Sequence, residues 1–175
     1  MGNGRAFIQT TSFAPPNNSF WGRMYLWVEA FPTAPNYAHY TLVEAAGSEP
    51  GLIRMVGGQY FSGMGAQWGV GSDGGPTGDW TNCRPTAPSE AGKWVCMEWE
   101  VQAMDNTVRI YIDSVAKPEL TVTTTMHGGS MVDFVFPTFS RVWFGWWLYQ
   151  AGPTPNQFDL WMDDLALSTT RIGCQ

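Results

Sequence analysis

GKWVCMEWEVQAMDNTVRIYIDSV, residues 92–115, decides the fold class. Two runs with period-two alternation of apolar residues flank Asp105 and Asn106, which are turn formers, so the stretch reads as a β-hairpin. On the first strand Val95, Met97, Trp99 and Val101 share one face, and Trp94, Cys96, Glu98 and Glu100 share the other. The apolar set belongs to a core, and the Glu98–Glu100 pair most simply lines the solvent side.

Working outward, the same alternation bounded by Gly, Pro, Asn and Ser predicts strands at 5–10, 23–30, 39–45, 52–61, 67–71, 94–102, 107–113, 119–125, 133–139, from 141 onward, and at 158–168. No convincing helix interrupts them. The connectors APPNN (14–18), PTAPN (32–36), GSDGGPTGD (71–79), RPTAPSEAG (84–92) and AGPTPNQ (151–157) carry loop chemistry. With no linker or internal repeat, all 175 residues read as one domain. Such a chain is all-β, a jelly-roll β-sandwich of two antiparallel sheets with one concave face. The strand-like segment begins within five residues of Met1, as in a start trimmed of a leader peptide.

Composition narrows the function. Nine Lys and Arg against fifteen Asp and Glu give a net charge of −6, so phosphate-rich nucleic acid is not an expected partner. The apolar runs fall short of the roughly 18 residues of a transmembrane helix, so no membrane partner is expected either. Ten Trp exceed what a core of this size needs, and some should be exposed for a purpose. The segment RVWFGWWLYQ (141–150) sharpens the point. Adjacent Trp146 and Trp147 cannot both face inward on one strand. Trp146 shares a face with Val142, Phe144 and Leu148 and belongs in the core. Trp147 shares the open face with Arg141, Trp143 and Tyr149. Indole faces are electron rich and stack against the C–H faces of sugar rings.

The hairpin, with FDLWMDDLALS (158–168), resembles the concanavalin A-like lectin/glucanase superfamily, whose laminin G-like and polysaccharide-lyase members carry a Trp-bearing strand, a turn, an L-Y-I-D-G strand and a late D-D-hydrophobic strand. Here Ser114 stands where that family has Gly. RVWFGWWLYQ is similar to the Y-F-K-A-G-x-Y-x-Q strand of alginate and glucuronan lyases, without the Lys and with Tyr149 directly beside Gln150. The resemblance implies a catalytic set of Tyr149, His39, Gln59 and Arg54. His39 with Gln59 would be the neutralising pair and Arg54 a carboxylate clamp, since guanidinium matches a carboxylate bidentately. The open face of the 141–150 strand offers a sugar-binding set of Trp147, Trp143, Arg141 and Tyr149, with Glu44 beside them. A structural Ca²⁺ held by Asp163 and Asp164 is the implied cofactor, with Asp73 and Asp79 as a second candidate loop. Among Cys83, Cys96 and Cys174 it favours a Cys96–Cys174 disulfide over Cys83–Cys96, which would place the chain in an oxidising compartment.

Glu98 and Glu100 stand roughly 6–7 Å apart along the strand, against the roughly 5–5.5 Å between carboxyl groups of retaining glycosidases, but no laminarinase-type E-x-D pattern is present. Glycoside hydrolysis is therefore less favoured. His127, in TTTMHGGS, reads as loop surface. The leading expectation is a secreted, monomeric domain that binds a polysaccharide through aromatic residues. The alternative is a lyase that cleaves a uronate polymer by β-elimination, and the second alternative an adhesion or laminin G-like domain with no sugar. The low count of Lys and Arg weighs against the lyase unless the groove concentrates them.

Overall fold

The computed structural model describes residues 4–10, 12–33, 38–77, 83–127, 129–149 and 157–175. Thirteen strands account for most of them: β1 (Gly4–Gln9), β2 (Phe20–Val28), β3 (His39–Ala46), β4 (Leu52–Phe61), β5 (Gly65–Asp73), β6 (Cys83–Pro88), β7 (Trp94–Gln102), β8 (Thr107–Ile112), β9 (Val115–Ala116), β10 (Thr124–His127), β11 (Ser130–Asp133), β12 (Arg141–Tyr149) and β13 (Leu160–Ser168). A six-stranded sheet runs β1-β12-β3-β4-β5-β6, a five-stranded sheet runs β13-β2-β7-β8-β9, and β10 and β11 form a small ribbon. Every pairing is antiparallel. The two large sheets bury one apolar cluster between them, as a β-sandwich must to hide one face of each.

The 92–115 hairpin forms as its pattern requires. β7 and β8 pair from Gln102–Thr107 to Met97–Ile112, and Asn106 closes the turn in the left-handed region that Asn tolerates. Asp113 and Ser114 then adopt φ of 50° and 69° to turn the chain into β9, the geometry of a two-residue hairpin turn that usually recruits Gly. At the centre of the core Trp99 is wholly buried against Gly22 of β2, its register partner. A Cβ on Gly22 would lie 2.2 Å from the Trp99 indole, so the large residue on one strand requires the small one on the next.

Two expected strands are corrected. Residues 119–125 hold a 3₁₀ turn at Pro118–Leu120 and an isolated bridge from Val122 to Val108, and only the last residues enter β10. Residues 133–139 are irregular after β11. Phe134 and Phe139 are buried and Phe136 packs against both, so the apolar alternation there comes from chain plugging the sandwich end. Pro137 has no amide to donate to a ladder, and the amide of Phe139 donates instead to Asn18 Oδ1 at 2.7 Å.

Glu98 is a third correction. It does face away from the core, but it is fully buried because the C-terminal segment lies over it. Its carboxylate accepts from Arg171 Nη2 at 2.8 Å and from the Gly173 amide at 2.8 Å. The favoured disulfide, Cys96–Cys174, locks the same segment to β7. It closes a loop over a sequence separation of 78 residues, so replacing both cysteines with Ser is expected to lower unfolding free energy by about 2–5 kcal/mol. Urea titrations of the wild-type and Ser-substituted proteins would show this as a shifted midpoint. The Cys83 side chain lies outside the described residues.

Candidate functional site

β12 alternates as its sequence demands: Val142, Phe144, Trp146 and Leu148 are buried, Arg141 is exposed, and Trp143, Trp147 and Tyr149 are half-buried on the outer face. Trp146 stacks on Tyr40 with ring centroids 5.5 Å apart and planes inclined by 7°. A bulge breaks the register with β3 between Phe144 and Trp147, and others break β3 and β4 between Thr41 and Glu44 and between Arg54 and Gly57. Bulges re-aim side chains. They leave Trp147 opposite Thr41, Tyr149 opposite His39, His39 opposite Gln59, and Glu44 between Trp143 and Arg54.

His39, Thr41, Glu44, Arg54 and Gln59 are all buried, although their register places them on the outer face with Tyr149. A sheet face that turns away from the core and still hides five polar side chains is recessed. The centre of the recess is Tyr149. Its Oη stands 3.0 Å from His39 Nδ1 and accepts a hydrogen bond from Arg54 Nη1 at 3.0 Å. Arg54, only 1% exposed, also donates from Nη2 to Asp73 at 2.8 Å. Its guanidinium lies 5.1 Å from the Tyr149 ring centroid and 4.9 Å from that of Trp147. The four residues His39, Gln59, Arg54 and Tyr149 are therefore neighbours.

Electrostatics separate two groups in this recess. Burial, reinforced by the charge of Arg54 and opposed by a hydrogen bond to Gln59, lowers the His39 pKa to about 3. Its imidazole stays uncharged through neutral pH. Burial pushes Glu44 up to about 7, against the pull of Arg54 and Arg5 and with the help of Asp73. Folding thus makes Glu44 hold a proton that the unfolded chain releases near pH 4.5. Stability contributed by this group falls as pH rises from 4.5 through 7, by an amount of order 3 kcal/mol at most. Glu44→Gln is expected to raise the melting temperature at pH 8 and to leave it nearly unchanged at pH 4, as read by calorimetry. The His39 contribution is common to both proteins and cancels in the difference.

The sugar-binding set is arranged differently from a row of bare platforms. Trp147 has the guanidinium of Arg54 at 4.9 Å and that of Arg5 at 5.8 Å from its ring centroid, and Arg141 covers Trp143 at 4.9 Å. Arg5 sits on β1 directly opposite Trp147. Three of the nine Lys and Arg of the chain, Arg5, Arg54 and Arg141, thus share this face. Trp68, Trp99 and Trp146 are core, and Trp27, Trp94 and Trp161 form a register row across the other sheet. Trp80, Asp79 and Gln150 lie outside the described residues, as does the side chain of His127.

Asp163 and Asp164 lie on β13 where its register with β2 shifts, remote from the recess. Asp163 Oδ1 accepts from the Asp164 amide at 2.8 Å, and among the described residues no three His, Cys, Asp or Glu side chains stand together as an ion site. Thr41, Asp73 and Arg5 are the members of the recess that the sequence analysis did not place there. Asp73 is a loop-like residue in SDGG, and only the β4–β5 pairing brings it level with Arg54's strand. Arg5 had no signal beyond its place in a first strand.

No protein-family model and no curated protein sequence matches the chain. Solved structures do match in shape. The chain is similar to the cellulose induced protein Cip1, with 20% identity and a TM-score of 0.63 over 98% of this chain and 76% of that one. It is also similar to part of a Trypanosoma rangeli sialidase mutant displaying trans-sialidase activity, at 17% identity and a TM-score of 0.52 over 90% of this chain and 22% of that one. A further sialidase matches at 11% identity and a TM-score of 0.53, over 95% of this chain and 14% of that one. At these identities the likeness establishes the β-sandwich fold alone. The chain spans about a fifth or less of these two sialidases.

Proposed function

We propose that this protein is a secreted polysaccharide lyase that cleaves a uronate-containing polymer by β-elimination. One observation carries the reading: a half-buried phenol oxygen held 3.0 Å from a buried histidine and 3.0 Å from a buried arginine in one recess. Removing the proton beside a uronate carboxylate requires a base, a proton for the leaving oxygen and groups that hold the charge building on the carboxylate.

Tyr149 is the most exposed of the three residues, and in this reading its Oη is the atom that meets the sugar. Ionised, it accepts hydrogen bonds from Arg54 and from His39 Nδ1–H and takes the C5 proton. The C5–H electron pair becomes the C4–C5 double bond, and the C4–O4 bond breaks. The proton on Tyr149 passes to O4, so the phenolate is restored and no other reactant is needed. His39 works as an uncharged donor because burial keeps it so. Gln59 sets the ring of His39 and offers its amide to the substrate carboxylate. Arg54 is a positioning residue here, since its two terminal nitrogens engage Tyr149 and Asp73. The fold supports the reading as well, because sandwiches of this kind are shared by proteins that act on sugars, including the sialidases that match in shape.

The test is to incubate the protein with a panel of uronate polymers and follow the ultraviolet absorbance of the unsaturated product. Absorbance should rise on at least one of them. No rise on any uronate, together with retention on an insoluble neutral glucan, would overturn the reading in favour of a binding module.

A further inference from the structure

Beside the tyrosine cluster, across Trp147, β1, β12 and β3 enclose a second hollow of about 390 Å³. That is within the range of roughly 300–1,000 Å³ typical of ligand clefts. Arg5, Gln9, Glu44, Trp143 and Trp147 line it. Gln9 faces Trp143 across the β1–β12 pair, and Glu44 faces the same Trp143 from β3. Glu44 is only 4% exposed, and its Oε2 has no hydrogen-bond partner among the described residues. A carboxyl buried without a partner is costly, and this one contributes nothing to the sandwich core, because its register points it to the opposite face. Arg5 is exposed, and its guanidinium leans over the Trp147 ring from the β1 side. The hollow therefore combines an apolar indole wall, a cation within reach of solvent and a buried carboxyl with one oxygen lacking a hydrogen-bond partner among the described residues.

We infer that this hollow is a second uronate subsite adjoining the Tyr149 centre, in which Arg5 pairs the sugar carboxylate, Trp143 and Trp147 flank the pyranose, and Glu44 hydrogen bonds a ring hydroxyl. The inference rests on the lyase reading of the neighbouring cluster for its choice of sugar. It makes the substrate a run of consecutive uronates, because both the reacting sugar and its neighbour are recognised through a carboxylate. Glu44 serves best as a protonated donor. Once ionised it would repel the anionic sugar that Arg5 attracts. The charged groups around it are Arg5 on β1, Arg141 on β12, Arg54 on β4 and Asp73 on β5, with His39 on its own strand. The guanidiniums keep their charge throughout, and His39 is already neutral above pH 5. Affinity should thus decline as pH rises through 7.

The experiment uses the Tyr149→Phe protein, in which turnover is expected to be at least a thousandfold slower, and titrates it calorimetrically with a tetra-uronate and with a neutral tetraglucoside at pH 5.5, 7 and 8.5. Arg5→Ala added to this protein should weaken the tetra-uronate about tenfold or more, as loss of a charged hydrogen bond does, and leave the tetraglucoside unchanged. The affinity of the Tyr149→Phe protein for tetra-uronate should fall several-fold between pH 5.5 and 8.5, and Glu44→Gln should remove that fall. A tetra-uronate affinity indifferent to Arg5→Ala, or a pH dependence that persists in Glu44→Gln, would overturn the subsite. If tetra-uronate binds as described while the wild-type protein forms no unsaturated product, the lyase reading fails and the subsite stands. If no tetra-uronate binds, both fall.

Discussion

Tyr149→Phe is expected to reduce turnover on a uronate polymer at least a thousandfold while leaving polymer binding within about threefold, the size of effect that loss of a positioned acid–base group produces. The substitution deletes one oxygen and keeps the ring, which packs 5.3 Å from Trp147 and 5.0 Å from His39, centroid to centroid. The recess therefore keeps its shape, and the loss falls on kcat rather than on KM. Initial rates from product absorbance, with affinities measured separately by calorimetry, separate the two. Activity within tenfold of the wild type would place the chemistry on another residue.

Arg54→Met has a paired consequence. The guanidinium is 1% exposed, and its ionic partner Asp73 is 47% exposed. Burying a cation carries a desolvation penalty of several kcal/mol, which an ion pair to a half-exposed carboxylate repays only in part. Methionine has similar length and no charge, and the released Asp73 carboxylate returns to water. The melting temperature of Arg54→Met should therefore hold, because the charge left behind sits on a half-exposed side chain and not a buried one. Activity should fall at least a hundredfold, because the phenol oxygen loses the charge held 3.0 Å away. Stability given up at a site in exchange for function is the usual bargain in enzymes. A variant that melts several degrees lower and keeps its activity would make Arg54 a structural residue.

The solved structures compared above share 11–20% identity with this chain, so its site has to be read from its own residues. The cluster around Tyr149 is not a copied motif at the level of sequence: the expected Lys is absent from β12, and Arg5, from a strand at the edge of the sheet, supplies positive charge on the same face. This removes the apparent conflict between an acidic chain and the proposed acidic substrate. Net charge is a sum over the whole surface, whereas a site feels the few charges gathered on one face. Here Arg5, Arg54 and Arg141 are gathered, and Glu44 lies in a recess that favours its neutral form.

Strand alternation in the sequence by itself determined the all-β class, the 92–115 hairpin, the inward face of Trp99 and the split between Trp146 and Trp147, because each follows from a period of two that neighbouring residues cannot escape. It also named His39, Gln59, Arg54 and Tyr149 through a resemblance, without showing that they meet. Only the tertiary structure decided that. Bulges between Thr41 and Glu44 and between Arg54 and Gly57 interrupt the period of two in β3 and β4, so the adjacent pairs Leu42–Val43 and Met55–Val56 are both buried in the core. The polar residues on either side thereby keep to one outer face, whereas β12 holds its alternation across its own bulge. Local pattern likewise could not reveal that the C-terminal segment buries Glu98, or that residues 133–139 plug the sandwich without pairing, since both depend on chain distant in sequence folding over them. Local periodicity specifies which way a side chain points. What it points at depends on register and on the chain that packs above it.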